Sequence, residues 1–241
     1  MKATTTLKEK MMNILKMISA VLLTICVTAC VSQDSYYNAG EYRKPVAPTS
    51  YDVTPQVIYR IDDHRYVSIE NYDHCNGQNY YIDTKAGIRT EIMRGNLSQY
   101  QGRLSIADPT GLNIVIPEAP GGTCGDKGCN AYLGYSTDGG RTFKYKKYMQ
   151  SGSPHIDSVN YSILVAKDGF YLVKKISQTN GSTSVTKYPL VPSIDLEKPY
   201  PPDLHDEYLS EKPLPLLRTP SGQDRFTCDS SIHPSNLPPA K

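Results

Sequence analysis

From Gln56 onward, apolar and polar residues alternate in short runs, the period of two that marks strands with one face in a core. Gln56–Ile61, Tyr66–Asn71, Asn79–Asp83 and Ile88–Met93 follow one another. They are broken by Asp62-Asp63-His64, by His74-Cys75-Asn76-Gly77 and by the turn after Asp83, which predicts an antiparallel meander. A similar order recurs in Arg103–Ala107, Asn113–Pro117, Asn130–Tyr135 and Arg141–Tyr148. Tyr161–Ala166 and Phe170–Ile176 alternate most clearly and are joined by Lys167-Asp168-Gly169, a hairpin turn; a second turn at Thr179–Ser182 leads into Val185–Leu190. No helical period extends over ten residues beyond the N-terminal segment. The predicted class is all-β, built from antiparallel meanders. Two four-strand units suggest propeller-like blades, yet the chain is short for a closed propeller, so a sandwich or distorted barrel fits the same pattern.

Both ends break the alternation. Residues 1–29 begin with lysines, continue through the apolar run Met17–Ile25 and end in small residues, as in a secretory signal peptide. That run is too short to span a bilayer. Val27-Thr28-Ala29-Cys30 resembles the bacterial lipobox, which predicts lipidation and a mature N-terminus at Cys30. Two or more acyl chains give stable anchoring. Val31 and Ser32 follow without an acidic residue, which by resemblance to bacterial lipoproteins points to the periplasmic face of the outer membrane. Residues 30–55 are polar and rich in Tyr, Ser and Pro, a tether to a β domain over 56–190. Eleven of the eighteen prolines fall in Pro189–Lys241, so 191–241 is expected to be an irregular tail, with one short helical turn over Asp203–Ser210.

Four cysteines remain beyond Cys30: Cys75, Cys124, Cys129 and Cys228. An even number in an exported chain predicts two disulfides, and the sequence alone permits several pairings. Cys124 and Cys129 enclose Gly125–Gly128, a turn-forming insert, which favours the local pair and leaves Cys75 for Cys228, stapling the tail to the first strands. No second Cys or His pair lies near them to complete a zinc site.

The hairpin over Cys124–Tyr148 carries the most specific local motif. Ser136, Asp138, Gly140, Thr142 and Phe143 match S-x-D-x-G-x-T-[WF], which resembles the Asp-box of sialidases and many β-propellers. In such a loop the carboxylate accepts backbone N–H groups, glycine supplies positive φ and the aromatic packs beneath, so its role is structural. Gly134-Tyr135-Ser136-Thr137-Asp138 approaches the G-x-S-x-G elbow, but its last position is Asp and a strand, not a helix, is expected to follow; Ser136 is not expected to be a nucleophile. Sialidases carry several Asp-boxes and an arginine cluster, whereas this chain has one good box and scattered arginines. His64, His74, His155, His205 and His233 stand in no metal-ligand spacing, and Asp62-Asp63-His64 reads as a turn. No phosphate loop or dinucleotide fingerprint occurs. The expectation is a protein with no catalytic residues, metal or cofactor.

Of 26 basic and 24 acidic residues, Lys2, Lys8, Lys10, Lys16 and Glu9 lie in the first 29, so the remainder is close to neutral and offers nucleic acid no basic footprint. The nineteen tyrosines, with three Phe and no Trp, suit strand faces and protein interfaces alike. Lys144-Tyr145-Lys146-Lys147-Tyr148 is either a solvated strand face or a site for an acidic partner. The stretches Tyr59–Tyr72 and Cys129–Phe143 resemble the lipoprotein immunity proteins paired with type VI secretion lipase effectors. The resemblance covers roughly residues 55–190 and implies a periplasmic protein that binds a phospholipase toxin and blocks it. The alternative is an envelope lipoprotein that binds glycan through its Asp-box domain.

Overall fold

Gln56–Arg60 (β1), Arg65–Asp73 (β2), Asn76–Asp83 (β3) and Ile88–Gly95 (β4) pair antiparallel in chain order in the computed structural model, which describes residues 50–122, 124–176, 182–209 and 214–237. The meander turns where the pattern predicts. Asp62 receives the backbone N–H groups of His64 (3.0 Å) and Arg65 (2.7 Å), and His74 and Cys75 take positive φ between β2 and β3. Asn71 (φ +46) sits at a register shift between Glu70 and Asp73, where β2 bends.

Ile114–Pro117 (β6), Cys129–Ser136 (β7) and Lys144–Ser151 (β8) form a three-stranded antiparallel sheet. The third sheet has the order β12-β11-β10-β9-β5, from Arg103–Ile106 (β5), Tyr161–Ala166 (β9), Gly169–Lys175 (β10), Thr183–Pro189 (β11) and Glu207–Tyr208 (β12). Among the described residues, helix is confined to Pro154–Asp157 (α1) and two 3-10 turns, Leu97–Gln99 and Ser158–Asn160. Among the described residues no helix is long and apolar enough to cross a membrane. The class is all-β and sandwich-like, with no closed barrel among the described residues.

Two local expectations are corrected. The second four-strand unit does not exist as a meander, because β5 leaves it to pair parallel with β9. The Asp108 carboxylate accepts Thr110 N (2.9 Å) and Asn113 N (2.8 Å), and this turn redirects the chain so that β6 enters a different sheet. Nor do the described residues of Asp203–Ser210 supply a helical turn: Glu207–Tyr208 is extended against Thr186–Lys187, where an edge strand offered unpaired backbone. The predicted turn at Thr179–Ser182 lies mostly outside the described residues, as do the signal peptide, Cys30 and most of the tether.

One core joins the three sheets, and tyrosine fills much of it: Tyr59, Tyr72, Tyr81, Tyr100 and Tyr135 are fully buried. A buried phenol needs a partner. Tyr72 donates to Thr54 O (2.9 Å), and Tyr135 accepts Leu196 N (2.7 Å). Tyr59 shares its hydroxyl with Thr219 Oγ1 (2.7 Å) and Leu104 O (3.0 Å).

The proline-rich tail is part of this core. Thr227 N donates to Ile58 O (2.8 Å), Ser221 N to Ile61 O (2.9 Å) and Leu104 N to Asp224 O (2.9 Å), so residues 219–227 run between β1 and β5 and bond to both. Phe226 packs on Tyr59 and Tyr100. Upstream, Leu209, Leu214 and Leu217 pack against Leu164, Val173 and Val185 on the other face of the third sheet. Cys228 is bonded to Cys75 and Cys124 to Cys129, with Cα separations of 6.2 and 5.3 Å.

Candidate functional site

The β7–β8 hairpin places every residue of the Asp-box-like motif in one turn. Asp138 Oδ1 accepts Ser136 Oγ (2.7 Å) and Thr142 N (3.0 Å), while Oδ2 accepts Thr142 Oγ1 (2.6 Å). Gly140 N donates to Ser136 Oγ (2.8 Å), and Gly139 and Gly140 take φ of +74° and +84°. Phe143 meets the Tyr81 ring edge-on, centroids 6.1 Å apart, so the turn is seated on β3. Ser136 is 2% exposed and its hydroxyl is engaged on both sides within the turn. These polar groups are consumed in holding the loop, which leaves the motif with no free set of groups for a sugar.

Partial burial by itself would raise the Asp138 pKa, but the bonds from Thr142 and Ser136 outweigh it and hold the carboxyl below its ordinary value. A carboxyl depressed in the native state adds stability above its unfolded pKa and loses that contribution as pH falls through the folded value. Acid titration of the wild type should therefore destabilise the hairpin below the ordinary carboxylate range. Asp138→Asn, already lacking the charge, should show a shallower acid limb when unfolding midpoints are compared across pH.

The basic run of β8 is not a free cationic patch. Lys144 Nζ donates to Ser193 O and Ile194 O (both 2.8 Å), and Lys146 Nζ donates to Leu196 O (3.1 Å), which ties residues 193–196 to the hairpin. Tyr145 donates to Ile92 O and Tyr148 to Glu118 O (2.7 Å). Lys147 alone of the three lysines is exposed.

The arginines are likewise dispersed. Arg65 binds Asp62 (2.7 Å), Arg89 binds Glu70 (2.7 Å) and stacks on Tyr80, and Arg94 reaches Glu91 (3.3 Å). Of the histidines, His74 and His233 come together, with parallel rings 5.5 Å apart. Asp62, Asp63 and His64 cluster closely, but Asp62 is filled by N–H donors and His64 Nδ1 lies 2.9 Å from Asp83.

Several hollows mark the described surface. One, of about 510 Å³, lies between the β2–β3 turn, the end of β4, the first 3-10 turn and the loop after β6. Asp73, His74, Arg94, Gln99 and Glu118 face it. A second of about 160 Å³ lies between the Asp-box-like turn and Pro192–Ile194, and a third of about 370 Å³ involves Tyr188, Tyr200 and His205. Sequence patterns could not single out the first, because its walls come from four separated segments whose residues are individually unremarkable.

No curated protein matches the chain. A family model described as T6SS Tli3 immunity protein matches residues 51–174, from just before β1 to within β10. The match covers more than half of the chain and takes in the whole first sheet, the hairpin sheet, and the segments lining the 510 Å³ hollow. Its extent over the folded domain, together with the resemblance carried by Tyr59–Tyr72 and Cys129–Phe143, leads to one assignment: the chain belongs to the Tli3 family of T6SS immunity proteins.

Proposed function

We propose that this immunity protein neutralises a lipase toxin of the phospholipase kind in the periplasm, by covering the toxin and not by chemistry of its own. The observation that carries the reading is the family match over residues 51–174, since an immunity protein has a cognate toxin protein as its partner and such proteins commonly act in the periplasm. The lipase identity rests on the resemblance of the two quoted stretches to lipase-paired immunity lipoproteins. Export is supported by the signal-like residues 1–29 and by two disulfides, which persist in oxidising compartments. Cys30 is the proposed acylation site, holding the β domain at the periplasmic face of the outer membrane through residues 31–55.

The test is periplasmic co-production with the lipase whose gene adjoins that of this chain. The full chain should restore growth, and a form lacking residues 1–29 should not. Cys30→Ser should move the protein from the membrane fraction to the soluble periplasm. Unchanged killing in the presence of the exported chain would overturn the neutralising role, and a membrane-bound Cys30→Ser protein would overturn the anchor.

A further inference from the structure

We propose that the groove of about 510 Å³ between the β2–β3 turn and the loop after β6 is the surface through which this chain grips its toxin, and that Glu118 on its wall receives a lysine or arginine side chain of that toxin. The inference rests on the immunity reading and adds the contact site and its chemistry.

Three observations converge on this groove. Its lining runs from Asp73 to Gly121, wholly inside the family-matched residues 51–174, whereas the second and third hollows draw on residues 188–206 beyond the match. A function shared by a family belongs on the shared part of the chain.

Second, Glu118 is the one described carboxylate held above its ordinary pKa, because burial is opposed only by the backbone N–H of Tyr132. It forms no ion pair among the described residues. Asp62, Asp83 and Asp138 are also partly buried, but each is surrounded by donors and depressed. A half-desolvated carboxylate with open lone pairs gains a charge-assisted bond when a cation enters beside it.

Third, the groove is built before any partner arrives. Tyr148 donates to Glu118 O (2.7 Å), and the Asn79 side chain donates to Met93 O (3.1 Å) and Gly95 O (3.0 Å), fixing the end of β4. The Cys75–Cys228 bridge adjoins His74 on the opposite wall. On neighbouring β7 and β8, Tyr132 and Tyr145 are 37% and 42% exposed, the residue type that dominates interface energetics. Preformed walls lessen the ordering that binding requires.

The experiment measures binding of the purified full chain to a catalytically inactivated form of the adjoining lipase by biolayer interferometry, alongside thermal unfolding of each variant. Wild type should bind; Glu118→Gln should weaken binding by about tenfold or more. The same substitution should leave the melting temperature unchanged or higher, since it removes an unpaired buried charge. Glu118→Lys should weaken binding further through repulsion of the incoming cation. Equal affinity of wild type and Glu118→Gln would overturn the groove assignment and leave the immunity reading standing. Weakened binding together with a lower melting temperature would mark Glu118 as structural and overturn it too. Failure of the wild type to bind would take down both.

Discussion

Gly140→Ala is expected to lower stability by about 2–5 kcal/mol, the largest loss available from adding one methyl group to the β7–β8 turn. Two effects add. Gly140 sits at φ +84, a conformation that is strained for alanine by roughly 1–2 kcal/mol. A Cβ there would also overlap the Tyr81 ring, and that ring is fully buried between sheets, so it has nowhere to swing. Overpacking of this kind commonly costs a further 1–3 kcal/mol, roughly. Gly87 provides the control: its φ is +66, but nothing lies within 4 Å of a Cβ placed there. Gly87→Ala should therefore lose only the conformational part, about 1 kcal/mol. Urea unfolding of the two variants separates the contributions, and equal midpoints would contradict the packing of the turn on Tyr81.

Removing the Cys75–Cys228 bridge by paired serine substitution is expected to lower stability by about 5 kcal/mol in the chain-entropy model, against about 2 kcal/mol for the Cys124–Cys129 bridge. The difference comes from loop size, since the first bridge joins residues 153 apart and the second residues 5 apart. Cross-linking distant residues removes many more conformations from the unfolded chain than cross-linking near ones. Hydrogen bonds of residues 219–227 to β1 and β5 remain in the variant, so the native fold should persist with faster amide exchange in the tail. Denaturant titration of the two double variants checks the order. A larger loss at Cys124–Cys129 would show that the bridges act mainly through native-state effects.

What could be read from the sequence was what neighbouring residues encode. Alternation in Tyr66–Asn71 and Asn79–Asp83 reflects one buried face, and the turn chemistry at Asp62 and Asp138 is set by side chains within four residues of the N–H groups they bind. The parallel pairing of β5 with β9 could not be read this way, because Arg103 and Ser162 meet only through the whole intervening chain. The same holds for Thr219, whose hydroxyl reaches Tyr59 across 160 residues. Tyrosine content was ambiguous for a related reason: composition does not tell a buried Tyr72 from an exposed Tyr132, and the structure contains both. As for the candidate site, the Asp-box-like residues were visible as a motif, whereas Glu118 was hidden because a carboxylate without a counter-ion leaves no mark in sequence.

The strand of tail between β1 and β5 also sets an order of events. Leu104 N–H and Ile58 O are paired by Asp224 and Thr227, and Tyr59 gains its bond to Thr219, only when this segment arrives, so a polypeptide emerging N-terminus first can assemble its early hairpins but cannot seal the seam between the first and third sheets until residues 219–227 have followed. Closure of this seam is thus gated by residues 219–227, and chains cut short before Thr219 would expose two open sheet edges to their neighbours.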